Sequence, residues 1–171
     1  MERKRRIGKA NPKENKRSVE EGIESSPVPA REESPDANIP DLQAKKRILV
    51  VDNEELMLEM ISDIIESEHK QCGILTAKDG GPGLQSVRKE GGRLDLIICR
   101  SRLPKVDGIT MSEIVKEEYP DIPIVIYSGW DMSAEKKLLG KVFFDLLYAP
   151  FSADELLLVV NAAFRSKEKK G

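Results

Sequence analysis

The sequence predicts an α/β fold, a (βα)5 chain folded into a doubly wound, parallel five-stranded sheet. Three observations lead there. Short runs rich in Ile, Val and Leu recur five times between residues 47 and 147. Segments with helical spacing of apolar residues lie between and after them. The runs are apolar at consecutive positions, as in strands buried on both faces. Strands alternating with helices imply a parallel sheet with right-handed crossovers and helices on both faces.

The first strand is Arg47-Ile-Leu-Val-Val-Asp52, where the composition changes abruptly. Leu58, Ile61 and Ile65, flanked by Met57, Met60 and Ile64, repeat at helical spacing, with Ser62, Asp63, Glu66 and Ser67 on the opposite face. Residues 73–77 form the second strand. Pro82 suits the first position of a short helix through Lys89, because the first turn needs no N–H there. The third strand is 94–99. Thr110 and Glu113 have the spacing of a capping box, which opens a helix ending at Glu118 before Tyr119-Pro120. The fourth strand is 122–127, a short helix covers 133–139, and the fifth strand is 142–147. Ser152 and Glu155 form a second capping box, opening a last helix with Leu157, Val160 and Phe164 inward.

The 171 residues suit one domain. With 28 basic and 30 acidic side chains, no strong overall field selects nucleic acid or a membrane. Cys72 and Cys99 lack CxxC spacing and a neighbouring His, which argues against zinc or a disulfide framework. The basic start is followed by no apolar signal core, and no run approaches the ~18–20 apolar residues of a span. The expectation is a cytoplasmic, stand-alone protein without a membrane span. Residues 1–45 combine Lys, Arg, Glu, Ser and Pro with few apolar side chains, and read as a disordered charged tail or linker. The folded domain is expected at 46–167, with 168–171 disordered. Arg3, Lys4, Arg5, Arg6, Lys9, Lys13, Lys16 and Arg17 make the first part of the tail basic. That block is either a solvated leader or a contact for nucleic acid or an anionic surface.

In open parallel sheets, ligands bind at the carboxyl ends of the strands. Asp52 and Asn53, Arg100 to Arg102, Ser128 and Gly129, and Ala149 gather there. No His, nucleophilic Cys or paired carboxylates converge with them, so no enzyme chemistry is expected.

With Ile48-Leu-Val-Val-Asp-Asn-Glu54, Asp95-Leu-Ile-Ile98, Leu103-Pro-x-x-Asp-Gly108, Ser128-Gly129 and Pro150-Phe151, the domain resembles the response-regulator receivers of two-component phosphorelays. The resemblance implies a flavodoxin-like strand order, 2-1-3-4-5. In active receivers an acidic pair and a phosphate-accepting Asp hold Mg²⁺, while a hydroxyl residue and a Lys contact the phosphoryl oxygens. Asp52 matches the first member of the acidic pair, and Asn53 matches the second without its charge. Arg100 stands at the phosphoacceptor position and Ala149 at the Lys position. Ser128 keeps the switch hydroxyl, and Leu146 replaces an often aromatic switch residue. The stretch from Ser128 to Ala149 is one residue shorter than common in the family.

The resemblance therefore implies a pseudo-receiver with weak or absent Mg²⁺ binding, Asp52 being the one candidate ligand. Arg100 is expected either to pair with Asp52, as a fork, in the space of the ion, or to extend into water. The expected partner is a histidine kinase, a response regulator or an effector, met through the last two helices and the fifth strand. Phosphorylation at a neighbouring acid such as Glu54, or binding through the basic tail, are the alternatives. Trp130 is either an exposed interaction anchor or packs on Lys136 or Lys137. His69 is expected to face solvent at the end of the first helix. Asp79-Gly-Gly-Pro-Gly83 lacks the spacing and Lys of a phosphate loop, and reads as a turn with a helix start.

Overall fold

The computed structural model describes residues 46–169; the tail expected at 1–45, with its basic block, and residues 170–171 lie outside them. Five parallel strands, β1 (Lys46–Val51), β2 (Cys72–Ala77), β3 (Leu96–Arg100), β4 (Ile124–Ser128) and β5 (Asp145–Tyr148), form one sheet. Their order is β2-β1-β3-β4-β5, as the resemblance implied. Around them lie α1 (Glu55–Glu68), α2 (Gly80–Glu90), α3 (Gly108–Glu118) and α4 (Ala153–Glu168).

The period of two along each strand sorts the core into two layers. Ile48, Val50, Leu96, Ile98 and Val125 point to the face covered by α1 and α4, meeting Leu58, Ile61, Ile65, Leu156, Val160 and Phe164. Leu49, Val51, Ile97, Cys99, Ile124 and Ile126 point to the other, meeting Val87 of α2 and Met111 and Val115 of α3. Buried Cys99 is part of that layer, and burial pushes its thiol well above the ordinary range.

Several boundaries differ from the sequence expectation. Helix α2 starts at Gly80, so Pro82 is its third residue and not its first; Asp79 caps it by accepting from the Gly81 N–H. The first N–H groups of a helix have no partner within it, which is why Pro fits there too. Helix α3 is capped by Asp107, which accepts from the N–H groups of Ile109 and Thr110 at 3.0 and 2.9 Å. The Thr110 hydroxyl donates to the same carboxylate, so Thr110 lies inside the first turn and opens no capping box. The helix expected at 133–139 is a single 3₁₀ turn, η1 (Glu135–Leu138), with no buried residue to anchor a longer helix. At α4 the Ser152–Glu155 capping box is present. That helix includes Glu168, one residue past the expected domain end, where Lys46 Nζ holds its carboxylate at 3.0 Å.

Two glycines allow the loops beside β3 to close. A Cβ on Gly108 would lie 2.0 Å from the Arg100 carbonyl oxygen, and one on Gly80 would lie 2.3 Å from that of Val106. Asp79 accepts from the Lys105 N–H at 2.9 Å and the Val106 N–H at 3.2 Å, tying the β3–α3 loop to the start of α2. The end of β3 is thereby held from two sides.

Candidate functional site

The site forms where β1, β3 and β4 end. Asp52 follows β1, Arg100 is the last residue of β3, and Tyr127 lies opposite Arg100 in the β3–β4 register. Alternation puts Arg100 on the face of Leu96 and Ile98, and Tyr127 on the face of Val125, so both side chains reach the α1 and α4 side.

Asp52 is fully buried, and both carboxylate oxygens are engaged. Oδ1 accepts from the Glu54 N–H at 2.7 Å and from Arg100 Nη1 at 3.2 Å. Oδ2 accepts from the Tyr127 hydroxyl. The same Nη1 also donates to Glu54 Oε1. The expected pairing of Arg100 with Asp52 is thus one nitrogen bridging two carboxylates and not a fork on one. Glu54 is the N-cap residue of α1 but makes no side-chain cap, because its carboxylate is turned to Arg100. The guanidinium is 31% exposed, Asp52 is not exposed at all, and Glu54 is 55% exposed.

The Glu54 hydrogen bond, opposed by partial burial and joined by the Asp52 contact, raises the Arg100 pKa, so the guanidinium stays charged. Burial first, and the bond to Asp52 second, push the Tyr127 phenol well above its ordinary value. The Tyr127 ring meets Phe151 edge-on, 5.6 Å between centroids and 79° between planes, linking the site to the segment that enters α4.

The other site residues divide by depth. Ser128 is buried, and its Oγ accepts from the Trp130 N–H at 3.1 Å. Asn53 is exposed and Ala149 half-buried, the latter following β5 with its N–H on the Ser128 carbonyl at 2.9 Å. Leu146 is half-buried against the α2 and α3 layer. Trp130 is exposed, and the cation over its ring is Arg102, at 5.5 Å, in place of Lys136 or Lys137. Lys136 lies over Tyr148 instead, 5.9 Å from its ring centroid. His69 is half-buried and does not face solvent; its ring meets Phe164 edge-on at 5.3 Å.

Sequence reasoning missed Tyr127 and the part played by Glu54. The signal for Tyr127 was its place two residues after Val125 on a strand bordering β3; nothing local pointed to Glu54. Among the described residues no group of three or more His, Cys, Asp or Glu side chains converges as a metal site, and no helix is long and apolar enough to cross a membrane.

A family model described as the response regulator receiver domain matches residues 48–161. Among curated relatives, the chain is 32% identical over 126 residues to the alkaline phosphatase synthesis transcriptional regulatory protein PhoP of Bacillus subtilis, covering 72% of this chain and 50% of that protein. It is 27% identical over 120 residues to the DNA-binding transcriptional regulator NtrC of Proteus hauseri, covering 70% and 24%. The chain thus spans about a quarter to a half of the length of these relatives. The Francisella response regulator 1452 receiver domain superposes with a TM-score of 0.63 at 26% identity, over 70% of this chain and 97% of that one. A receiver domain protein from Clostridium thermocellum shares the fold, with a TM-score of 0.68 at 24% identity, over 74% and 99%.

Proposed function

We propose that this chain, which belongs to the response regulator receiver domain family, is a pseudo-receiver of two-component signalling that acts through protein contacts without phosphoryl input. The observation that carries this reading is the Arg100 nitrogen bridging buried Asp52 and Glu54. By the family resemblance, Arg100 occupies the position of the phosphate-accepting Asp, and a guanidinium has donors only. Asn53 lacks the charge of the second acidic position, and Ala149 lacks the ammonium that would neutralise phosphoryl oxygens.

The donor set does not fit a resident Mg²⁺. A hard cation needs several free oxygens around an excess of negative charge. Here Asp52 spends both oxygens on Arg100, Tyr127 and the Glu54 backbone, and a fixed positive charge lies 3.2 Å from one of them. Weak or absent Mg²⁺ binding follows. The partner in this reading is a histidine kinase, a response regulator or an effector, met through β5, η1 and α4.

A second reading keeps phosphorylation at Glu54, whose side chain is the most open of the three charged groups. It requires Arg100 to leave that carboxylate. One titration separates the two: Mg²⁺ with and without beryllofluoride, followed by Trp130, the single tryptophan, with intact mass after exposure to a small acyl-phosphate donor. The expected result is no saturable fluorescence change and no added phosphoryl group. A saturable Mg²⁺ response strengthened by beryllofluoride, or a mass gain at Glu54, overturns the pseudo-receiver.

A further inference from the structure

Three neighbouring strands end side by side, and each presents a large side chain at its end. Arg102 stands two residues beyond β3, Trp130 two residues beyond β4, and Tyr148 is the last residue of β5. Arg100 pairs with Tyr127 and Ser128 with Tyr148 in the strand register. With strands ~4.8 Å apart, the three lie in a row about 10–15 Å long.

Each ring in this row carries its own cation: Arg102 lies 5.5 Å from the Trp130 centroid and Lys136 5.9 Å from that of Tyr148. Both rings remain open, Trp130 at 63% and Tyr148 at 44% exposure, with Leu139 at 39% beside η1. They are uncovered because the segment preceding β5 is one 3₁₀ turn and not a full helix. The surface is also preformed. The Trp130 N–H is held by Ser128 Oγ, and Asp131 accepts from the Ser133 N–H at 2.9 Å.

Charge indicates the occupant. Arg102, Lys105, Lys136 and Lys137 are exposed, and none forms an ion pair within 4.0 Å among the described residues. Some exposed cations elsewhere are paired, Lys78 with Glu55 and Arg88 with Glu118, and what sets this group apart is the open rings over which Arg102 and Lys136 lie. Open aromatic rings interleaved with arginine are what protein interfaces use as anchors. A polyphosphate chain fits less well, since it has no apolar side chain to lay on the exposed Trp130, Tyr148 and Leu139.

We propose that this row is a docking site for an acidic protein segment. Its carboxylates pair with Arg102, Lys136 and Lys137, while its apolar side chains lie on Trp130, Tyr148 and Leu139. The proposal names the partner chemistry of the pseudo-receiver, and rests on that reading only in needing no phosphorylation to expose the surface.

The test uses the full chain, without Mg²⁺ or a phosphodonor, and a short fluorescein-labelled peptide rich in Glu with spaced Leu, beside its Gln counterpart. Saturable anisotropy is expected for the Glu peptide, weakening with salt and weaker for the Gln peptide. Trp130→Ala and Arg102→Ala should each raise Kd about tenfold or more, whereas Leu56→Ala, an exposed position on α1, should leave it unchanged. Equal binding of both peptides, no binding with or without Mg²⁺ and beryllofluoride, or unaffected variants that melt like the parent overturn the proposal. Tighter binding of an oligothymidylate of matching charge overturns it in favour of nucleic acid. If peptide binding proves normal but appears only with Mg²⁺ and beryllofluoride, the unphosphorylated mode fails while the surface stands. A silent Mg²⁺ titration with no peptide binding removes the surface alone.

Discussion

Strands β1 and β3 carry an arginine–carboxylate contact at each end of the sheet, and the two are built for different purposes. At the amino ends, Arg47 pairs with Glu90 at the end of α2, with side chains 15% and 8% exposed. The Arg47 N–H donates to Asp95 at 2.8 Å, Arg93 Nε donates to the Glu90 carbonyl at 3.0 Å, and Lys167 of α4 lies 3.6 Å from Asp95. That cluster joins β1, α2, β3 and α4 and presents little to solvent. Of the three charged groups at the carboxyl ends only Asp52 is buried; Arg100 is partly open and shared with a half-solvated Glu54. The amino-end cluster is a brace. The carboxyl-end cluster is a site whose occupant happens to be a side chain of the same domain.

The sharpest way to break this comparison is to remove each arginine. Arg47→Ala leaves a buried Glu90 unpaired and should cost about 3–5 kcal/mol in denaturant unfolding. Arg100→Ala should cost less, about 2 kcal/mol, because water reaches the gap and Tyr127 still holds Asp52. Equal losses would mean that the two ends are equivalent braces.

Tyr127→Phe should cost about 1–2 kcal/mol by leaving one buried Asp52 oxygen without its donor. It also carries a pH signature. The folded state raises the Tyr127 pKa above its ordinary value of about 10. The neutral phenol is therefore favoured in the fold, and its stabilisation is complete below pH ~10 and lost as pH rises beyond it. Unfolding measured across alkaline pH should show a shallower decline for Tyr127→Phe than for the parent. The smallest effect is expected at Glu54→Gln, within about 1 kcal/mol, and it should shrink further with added salt because that carboxylate is solvated. A larger loss there would move the centre of the site from Asp52 to Glu54.

Much of the frame was legible because it rests on local periodicity. Leu58, Ile61 and Ile65 mark α1 at helical spacing and are its buried residues. Ser152 and Glu155 mark the start of α4, where their side chains and backbone groups bond reciprocally. Reading failed where two local signals competed. Thr110 and Glu113 have capping-box spacing, but Asp107 stands three residues earlier with a carboxylate that satisfies two N–H groups at once. The 133–139 segment has helical composition but no apolar stripe to bury, so only one 3₁₀ turn forms.

The sequence by itself determined the succession of strands and helices, the two-sided burial of the strands, and the residue types at the strand ends. Those depend on side-chain period, caps and covalent order, all of which act over a few positions. Only the tertiary structure decided that one nitrogen of Arg100 serves both Asp52 and Glu54, that Tyr127 holds the other Asp52 oxygen, and that Arg102 lies on Trp130. Asp52 is 48 residues from Arg100 and 75 from Tyr127. Such partners meet only after three strands have taken their register and two loops have closed on β3, and no local rule states which of several donors then reaches a buried carboxylate first.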